Sequence, residues 1–576
     1  MKLATAFKIA QGAPRNAPPF RVLVACGFTP LHAQAFVAAH LQQALAQRRI
    51  EVSTGLYGDL AGTLDRISDA SLHAAAIFME WSDLDARLGY RSLGGWGARE
   101  VADIVARVPA VLARVHESLQ RVPAGVRVAI SLPTLPLPPV FNAPGWMAGK
   151  AQLELNQALS AFAVSAASLR NVAFVNAARL AELSPPASRF NLEGELYSGL
   201  PYTLPHADML SSLLAQIIQP PALKKGLITD LDDTLWKGLV GEVGAEGISW
   251  DLGSHSQFHG LYQQMLRALS GQGVLLAVAS KNERIAVEEA FAREDILLPA
   301  DKIFPLEIHW DAKSGSVGRI LKAWNVGADS VVFVDDSSME LEEVKAAHPE
   351  VECMLFPGKD AAAFSAFLEG LRDRFAKETV SQEDLLRLES IRQSAVIQQA
   401  VESHGTPDQL LAQIKAVISV DLHPPATDAR VLELVNKTNQ FNLNGIRHAE
   451  AEWNRDLECP GAFVLSISYR DKFGPLGKIA VLKGTKIGKC VKVGAWVMSC
   501  RAFARRIEYR CLEILFEKLG AEEALLEFSR TSKNGPTQDF LSSLLGNAPE
   551  SPCRISRQMF YEKCPSLYHT VEYVNE

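Results

Sequence analysis

The chain has 576 residues, of which 48% are hydrophobic and 21% charged, and it carries a formal net charge of −7 at pH 7. This length exceeds what one hydrophobic core supports, so the sequence predicts several domains of an ordinary globular protein. The slightly acidic balance gives no overall basic field and argues against nucleic acid as a partner.

No stretch of the sequence has the character of a membrane segment. Residues 1–20 lack a sustained apolar core, so we expect no signal peptide. No apolar run approaches the roughly 18 residues that span a bilayer. The eight cysteines are scattered and form no Cys-x-x-Cys pair, which argues against a zinc site and predicts reduced thiols. The expected location is therefore the cytoplasm.

Strand-like and helical stretches alternate from residue 20 to about residue 218. Apolar runs at 20–25, 74–78 and 126–130 are separated by helix-forming segments. This alternation is typical of a parallel sheet covered by helices. Pro220 and Pro221 then form a typical joint between domains. We expect a first α/β domain over residues 1–219.

Two carboxylates follow the next apolar run. Residues 227–234 read Leu-Ile-Thr-Asp-Leu-Asp-Asp-Thr, and residues i and i+2 at a strand end lie on the same face. Asp230 and Asp232 therefore point to one spot, as expected for groups that hold a divalent cation beside a phosphate. Taken alone, the pair is equally compatible with a solvated turn.

Further polar groups follow in chain order and favour the catalytic interpretation. They are Ser280, Lys281 and Asn282 after the apolar run 273–279, then Lys313, then Asp335 and Asp336 after the run 331–334. Open α/β sheets bind their ligands at such strand ends. The sequence thus predicts a phosphoryl-transfer site with an aspartate nucleophile.

This set of residues resembles the haloacid dehalogenase (HAD) superfamily, which implies a role for each. Asp230 would attack phosphorus, and Asp232 would protonate the leaving oxygen and then activate water. Ser280 and Lys313 would hold the phosphoryl oxygens. The resemblance also implies Mg²⁺ as cofactor, with Asp230, Asp232, Asp335 and Asp336 at the metal. Phosphoryl transfer needs positioning and charge neutralisation, which such a set supplies.

The HAD domain should lack a large cap over its site. Only 50 residues separate Asp230 from Ser280, and they must supply a loop, a helix near 257–269 and the next strand. An uncapped site accepts a bulky substrate or a group that another protein presents.

Other motifs resemble the FkbH-like proteins, HAD subfamily IIIC. They are the Thr-Leu-Trp-Lys-Gly run at 234–238, the glycine-bearing loop 241–244, the Ser-Lys-Asn run at 280–282, and segments 436–443 (Asn-Lys-Thr-Asn-Gln-Phe-Asn-Leu), 471–474 (Asp-Lys-Phe-Gly) and 496–501 (Trp-Val-Met-Ser-Cys-Arg). In this family, substrate contacts are expected from Thr234, Trp236, Lys281 and Asn282.

The resemblance also implies the domain order. Residues 1–219 would resemble SGNH hydrolases, and residues 220–375 would form a HAD domain with a Rossmann-like sheet. A connecting helix would occupy 376–404, and residues 405–576 would form an α+β domain similar to GNAT acyltransferases.

The function that the resemblance implies is acyl transfer. FkbH-like proteins remove phosphate from 1,3-bisphosphoglycerate and load the glyceryl group onto an acyl carrier protein for polyketide or related biosynthesis. A phosphorylated small molecule would be the substrate here, and a carrier protein the partner. One alternative is a plain HAD phosphatase for a small metabolite or for a sugar phosphate of cell-surface polysaccharide. The other is an interaction protein with a vestigial site, against which the intact residue set argues.

Cys500 is the candidate for a glyceryl thioester, and two interpretations of it stay open. A buried, inert thiol is the commoner fate of a cysteine. Arg501, Arg505 and Arg506 would favour a reactive thiolate if they lie close to it. They would otherwise meet phosphate groups or an acidic carrier protein, or form a solvated helix face.

The C-terminal region differs from the family pattern at the positions that would approach a pyrophosphate. Ala504 and Arg506 stand where glycines would let backbone amides approach a pyrophosphate, which argues against coenzyme A binding. After Asp335 and Asp336, serines replace an expected Asn-Pro.

The N-terminal region departs as well. Cys26 begins the segment where an SGNH hydrolase has Gly-Asp-Ser, and His206 lacks an aspartate three positions earlier. We therefore expect a non-catalytic N-terminal domain.

Overall fold

The structure, a computed structural model, describes residues 1–12, 16–69, 71–123, 125–139, 143–378, 380–392, 407–422, 424, 428–448, 450–472, 474–499, 502–503 and 505–574. The chain divides into two units, one of Met1–Pro221 with Ala449–Trp453 and the other of Ala222–His448 with Asn454–Glu576. It is an α/β multidomain protein, as the sequence predicts, with two parallel sheets and one mixed sheet among the described residues.

The first sheet is parallel and lies in the first unit. Its strands are β1 (Pro19–Cys26), β2 (Arg49–Thr54), β3 (Ala74–Phe78), β4 (Arg127–Ser131) and β5 (Val172–Phe174), in the order β2-β1-β3-β4-β5. The central strand β3 is wholly buried and apolar, because helices cover both faces of a parallel sheet.

Helices surround this sheet. They are Leu3–Gln11, Leu31–Ala44, Leu60–Leu64, Trp81–Leu84, Ala98–Gln120, Lys150–Ala167, Ala177–Leu183, Leu192–Ser198 and Leu204–Ile218, with 3₁₀ turns at Asp65–Ser68, Ala86–Leu88 and Pro186–Ser188. Two apolar cores result, one on each face of the sheet.

The second sheet is also parallel and opens the second unit. Its strands are β6 (Gly226–Thr229), β7 (Leu275–Ser280), β8 (Ile303–Ile308), β9 (Val331–Asp335) and β10 (Glu352–Leu355), in the order β10-β9-β6-β7-β8. Strand β6 therefore lies between β9 and β7, and the carboxyl ends of these three strands meet at one edge.

Helices also surround this sheet. They are Val240–Gly247, Gln257–Gly271, Arg284–Phe291, Lys313–Trp324, Ser338–Ala347, Ala361–Phe375 and Gln382–Leu385, with 3₁₀ turns at Ala300–Lys302 and Ala328–Ser330. The first of them is broken at Gly244, whose φ of 71° lies in the left-handed region. The predicted connecting helix 376–404 is described at residues 376–378 and 380–392, where Gln382–Leu385 and residues 387–392 are helical. Residues 376–378 and 380–381 are not helical, so the prediction of one continuous helix is wrong over the start of this range.

The third sheet is mixed. Its strands are β11 (Val417–Asp421), β12 (Phe441–Asn442), β13 (Ala462–Asp471), β14 (Gly474–Ile487), β15 (Cys490–Met498), β16 (Glu523–Leu526), β17 (Cys553–Ser556) and β18 (Thr570–Tyr573), in the order β17-β16-β15-β14-β13-β11-β18 with β12 beside β15. A helix crosses between the parallel strands β15 and β16.

Its helices are Pro407–Gln413, Ala429–Lys437, Glu450–Leu457, Ile507–Glu517, Gly535–Leu545 and Arg557–Lys563. Trp496 and Phe516 are fully buried in the core of this layer. Throughout the described part of the chain, every helix falls short of the length or the apolar character needed to cross a bilayer.

Candidate active site

The three strand ends at the edge of the second sheet bring the predicted residues together. Asp230 follows β6, Ser280 ends β7 and Asp335 ends β9. The backbone N–H of Asp230 donates to the carbonyl of Val334 over 3.0 Å, which fixes the two aspartates side by side. A pocket of about 190 Å³ opens here, lined by Asp230, Asp232, Asp233, Leu239, Ser280, Lys281, Lys313, Asp335, Asp336, Ser337 and Glu340.

Lys313 joins the two buried aspartates. It begins the helix Lys313–Trp324, and its Nζ lies 3.0 Å from Oδ1 of Asp230 and 2.6 Å from Oδ2 of Asp335. All three side chains are nearly inaccessible to solvent. The ammonium group thus compensates two carboxylates that burial alone would strongly disfavour in their charged form.

This environment shifts the pKa of each group. Burial raises the pKa of Asp230 to about 6, against the lowering effect of Lys313. Burial likewise raises the pKa of Asp335, which Lys313 again opposes. Burial would lower the pKa of Lys313, but the charges of Asp230 and Asp335 outweigh it and raise that pKa. The lysine therefore stays charged across the physiological range.

Three carboxylates of the pocket form a cluster suited to a cation. Oxygens of Asp230, Asp335 and Asp336 lie within 4.8 Å of one another. Asp336 is the most exposed of the three, and partial loss of solvent contact together with the charges of Asp230 and Asp233 raises its pKa. Oxygen donors of this kind suit Mg²⁺, which keeps several waters and takes few protein ligands. The residues present therefore fit a divalent cation.

The side chain of Asp232 is held elsewhere in the pocket. Its Oδ1 accepts from Nε1 of Trp236 over 2.8 Å and from the backbone N–H of Val240 over 3.2 Å. Its Oδ2 accepts from Nδ2 of Asn282 over 3.1 Å. Among the described residues, the carboxylate cluster does not include Asp232, so the structure brings together three of the four aspartates expected at the metal.

Trp236 and Thr234 are buried rather than open to the pocket. Both side chains are fully inaccessible, and neither lines the cavity. Thr234 Oγ1 accepts from the backbone N–H of Asp336 over 3.1 Å. These two residues, expected to contact substrate, contact Asp232 and Asp336. His259 supports the same loop through a 3.0 Å contact between its Nδ1 and the carbonyl of Thr234.

Asn282 and Lys281 follow Ser280 and take different positions. Asn282 is buried, and its Nδ2 donates to Ser280 Oγ over 3.1 Å as well as to Asp232. Lys281 lines the pocket, and its Nζ donates to Oε1 of Glu340 over 2.9 Å. Asn282 thus links the side chains of Ser280 and Asp232, and Lys281 lies at the pocket wall.

Sequence reasoning missed Asp233, Leu239 and Glu340, which also line the pocket. Asp233 has φ of 49°, and its Oδ1 accepts from the backbone N–H of Gly238 over 2.9 Å, closing the loop after β6. Glu340 lies in the first turn of the helix after Asp335 and Asp336. Its place just past a strand-end motif was the signal that could have revealed it.

The serines after Asp336 act as a helix start. Ser337 caps the helix Ser338–Ala347 by accepting from the backbone N–H of Glu340, and its own N–H donates to Oδ1 of Asp335 over 2.9 Å. A serine serves this purpose as well as asparagine, so the departure from the family pattern preserves the local structure.

Cys500, Arg501 and Ala504 lie outside the described residues. Their described neighbours are not a solvated helix face. Arg505 is 1% exposed, and its Nε lies 3.8 Å from Oδ2 of the buried Asp471. Arg506 has φ of 57° and pairs with Asp408 over 2.6 Å. The expectation of a solvated face is therefore wrong for Arg505, whose charge lies in the protein interior.

In the N-terminal unit, the hydrogen bonds of Cys26 and His206 go to other residues and do not join the two side chains to each other. The Sγ of Cys26 donates to the carbonyl of Phe28 over 3.3 Å, and burial raises its pKa to about 12. His206 is fully buried between the hydroxyls of Thr134 and Ser184, each 2.9 Å from a ring nitrogen. Burial lowers the pKa of His206 to about 3. A thiol this weakly acidic is a poor nucleophile.

Comparison with known proteins adds a likeness in fold. No family model matches the chain, and no curated protein matches it. A solved structure that it resembles is the N-terminal part of the protein BF1531 from Bacteroides fragilis, which contains a phosphatase domain and is complexed with Mg. The two chains are 20% identical, with a TM-score of 0.50, and the likeness covers 66% of this chain and 100% of that one. Over the part of the chain that the likeness covers, the fold is therefore similar to that of a chain that contains a phosphatase domain.

Proposed function

We propose that the protein is a Mg²⁺-dependent phosphatase of the HAD type with Asp230 as its nucleophile. The observation that carries the proposal is the position of Lys313, whose ammonium group contacts both Asp230 and Asp335 inside a pocket of carboxylates. A buried cation between a nucleophile and a candidate metal ligand is suited to neutralise an incoming phosphoryl group. The likeness to a Mg-bound phosphatase domain agrees with it.

The chemistry would proceed in two displacements. Asp230 attacks phosphorus, and the bond from phosphorus to the leaving oxygen breaks while Asp232 gives that oxygen its proton. Asp232 then takes a proton from water, whose oxygen attacks phosphorus and releases Asp230 and inorganic phosphate. Trp236 and Asn282 keep the Asp232 carboxylate in place throughout. The Ser280 hydroxyl and the Lys313 ammonium group hold the phosphoryl oxygens.

Asp230, Asp335 and Asp336 would hold the magnesium ion. When bound, it supplies positive charge against the negative charge that develops on the phosphoryl group.

We further propose that the substrate is an acyl phosphate, with 1,3-bisphosphoglycerate as the first candidate, and that the acyl group passes to an acyl carrier protein. The support is the motif resemblance together with the open architecture. Between Asp230 and strand β7, the chain forms the two helices Val240–Gly247 and Gln257–Gly271. In that transfer a thiol attacks the acyl carbon, the bond from this carbon to the phosphate oxygen breaks, and inorganic phosphate leaves. The displacement at Asp230 would then act on the second phosphate, which is an ester, because attack on the phosphorus of the acyl phosphate would release the free acid.

A plain phosphatase without acyl transfer is the second candidate. The observation that favours it is that the structural neighbour contains a phosphatase domain, and the pocket chemistry is the same for both. The two candidates share the displacement at phosphorus by Asp230, and they differ in whether a thiol also attacks the acyl carbon and takes the acyl group from the acyl phosphate.

One experiment separates these functions. The full chain is incubated with Mg²⁺ and 1,3-bisphosphoglycerate, with and without a holo acyl carrier protein, while phosphate release and intact masses are recorded. Phosphate release with a glyceryl-sized adduct that moves to the carrier supports acyl transfer. Phosphate release without any adduct supports the plain phosphatase. If neither this substrate nor acetyl phosphate nor a panel of sugar phosphates releases phosphate, the proposed activity is wrong.

A further inference from the structure

The wall of the pocket is strongly acidic. Its carboxylates are Asp230, Asp232, Asp233, Asp335, Asp336 and Glu340, whereas its cations are Lys281 and Lys313. A single divalent ion does not balance this excess of negative charge. An anionic substrate therefore depends on each ammonium group that remains available to it.

The two lysines differ in availability. Lys313 is 6% exposed and lies within 3.0 Å of both Asp230 and Asp335, so its charge is committed to the catalytic carboxylates. Lys281 is 33% exposed at the pocket wall, and Glu340 is the ion-pair partner that the described residues give it. An ammonium group has three N–H donors, and the hydrogen bond to Glu340 uses one of them.

Glu340 is fixed more firmly than Lys281. Its side chain is 12% exposed, and it lies in the first turn of Ser338–Ala347, where the helix dipole favours a carboxylate. A fixed carboxylate beside a more exposed lysine restrains the lysine at the wall. It also offsets part of the positive charge that a ligand would otherwise meet.

We propose that Lys281 selects substrates that carry a second anionic group beside the transferred phosphoryl group, and that Glu340 limits the strength of that selection. This inference rests on the proposed phosphatase function and names its substrate class, which is small phosphorylated acids. Lys281 is then a specificity-determining residue, and Glu340 acts through it.

The two residues should affect binding in opposite directions. Removing the Lys281 charge removes the contact with the second anion. Replacing Glu340 by glutamine keeps an oxygen that accepts from Lys281 but removes the charge that repels the anion. A purely structural role would weaken binding in both variants, so the opposite signs separate recognition from folding.

The test uses phosphonates, which the enzyme cannot hydrolyse. Binding of phosphonoacetate and of phosphonoacetamide to the full chain is measured by calorimetry at saturating Mg²⁺. The two compounds match in size and differ in the charge of one group. We expect the wild type to prefer phosphonoacetate by about tenfold, the effect of one charge-assisted hydrogen bond at a partly exposed site.

Variants then show which residue causes the preference for phosphonoacetate. Lys281→Met should abolish it, Lys281→Arg should keep most of it, and Glu340→Gln should increase it about threefold. Lys345→Met is the matched control, because Lys345 lies on the same helix as Glu340, pairs with an acidic neighbour and is 62% exposed. This control should bind both compounds as the wild type does.

The inference is overturned if the wild type shows no preference, if it binds neither compound, or if Lys281→Met weakens both equally. Equal weakening would mean that Lys281 contacts the phosphoryl group itself or supports the fold. Because the readout is binding, a failure to release phosphate would count against the proposed function and leave this result standing.

Discussion

The indole Nε1 of Trp236 donates to Oδ1 of Asp232 over 2.8 Å, four residues away along the loop that follows β6. Trp236 is fully buried against Phe291, with ring centroids 5.6 Å apart. A buried indole on the core side of the loop therefore anchors the carboxylate that would act as acid and base. The catalytic geometry depends on core packing as well as on pocket residues.

Replacing this donor should reduce turnover more than stability. In Trp236→Phe the aromatic packing is largely kept and the hydrogen bond to Asp232 is lost. One such bond to a charged group amounts to about 1.5 kcal/mol, so kcat for phosphate release should fall about tenfold. Trp250→Phe is the control, since Trp250 is also buried but donates to the carbonyl of Asp295. An equal loss in both variants would contradict the positioning role.

Asp230→Asn should remove nearly all phosphate release. The change takes away the nucleophile's charge and one carboxylate of the metal cluster together, while the amide keeps the volume. Phosphate release and circular dichroism are measured side by side, with Asp311→Asn as control because Asp311 is 80% exposed on the loop after β8. Turnover at the wild-type level in Asp230→Asn would refute the assignment of the nucleophile.

If the enzyme carries an acyl thioester, it should form on Cys500. Burial raises the pKa of Cys26 to about 12 and those of Cys553 and Cys564 to about 11, so these thiols are poor nucleophiles at neutral pH. Cys500→Ser should abolish a hydroxylamine-sensitive adduct seen by intact mass. Cys459→Ser, which changes an exposed cysteine, should keep it. An adduct that survives the loss of Cys500 would move the site to another thiol.

The N-terminal unit should contribute no hydrolysis. The buried imidazole of His206 is held by Thr134 and Ser184 and, among the described residues, has no contact with the Cys26 thiol. The full chain should therefore leave short-chain esters and thioesters intact. His206→Ala should instead lower the thermal midpoint, since the buried Ser184 hydroxyl loses its partner at about 1–3 kcal/mol. The part-buried Thr134 hydroxyl keeps its hydrogen bond to Glu80. Ester turnover that disappears in Cys26→Ala would reveal a working site.

The sequence predicted the pocket residues whose positions follow from local strand geometry. It did not predict the positions that depend on packing between distant segments. Asp230, Ser280 and Asp335 were found because strand ends of a parallel sheet share one edge. The buried positions of Trp236 and Thr234 were not, since a motif does not say which side of a loop faces the core. Glu340 was missed because its contact with Lys281 joins residues 59 apart in the chain.

In the fold, too, local features were predicted from the sequence and long-range pairing was not. Alternating apolar runs predicted the first parallel sheet, because the period of strands and helices is a local property. The second parallel sheet was expected from apolar runs that end in polar groups and from the resemblance to the HAD superfamily. The mixed third sheet has the order β17-β16-β15-β14-β13-β11-β18, which brings strands from both ends of the region together. Such long-range pairing leaves no mark in any single segment.

The segment after the second sheet is anchored by a buried carboxylate, which gives a pH-dependent stability. Asp384 lies 2.9 Å from Lys377 and 2.6 Å from Arg387, and its side chain is 8% exposed. Burial opposes ionisation of Asp384, yet Arg387 and Lys377 together hold its pKa below the usual range. Burial and Arg387 lower the pKa of Lys377. Asp384 is therefore the group whose protonation at acid pH should remove stability from this segment.

Asp384→Asn should destabilise the second unit at neutral pH, and the loss should become smaller as pH falls below about 4. A carboxyl whose pKa is depressed in the folded state adds stability above its unfolded pKa of about 3.9, and that stability is lost as pH falls toward the folded value. Removing one partner of a buried ion pair costs about 3 kcal/mol. The free energy of unfolding of variant and wild type is measured by calorimetry at pH 7 and pH 3. The difference between the two proteins should be smaller at pH 3. Asp373→Asn is the control, because Asp373 lies on the preceding helix and its side chain is 43% exposed; its stability relative to the wild type should not change with pH in this way. A loss in Asp384→Asn that is the same at both pH values would mean that packing, and not charge, anchors the segment.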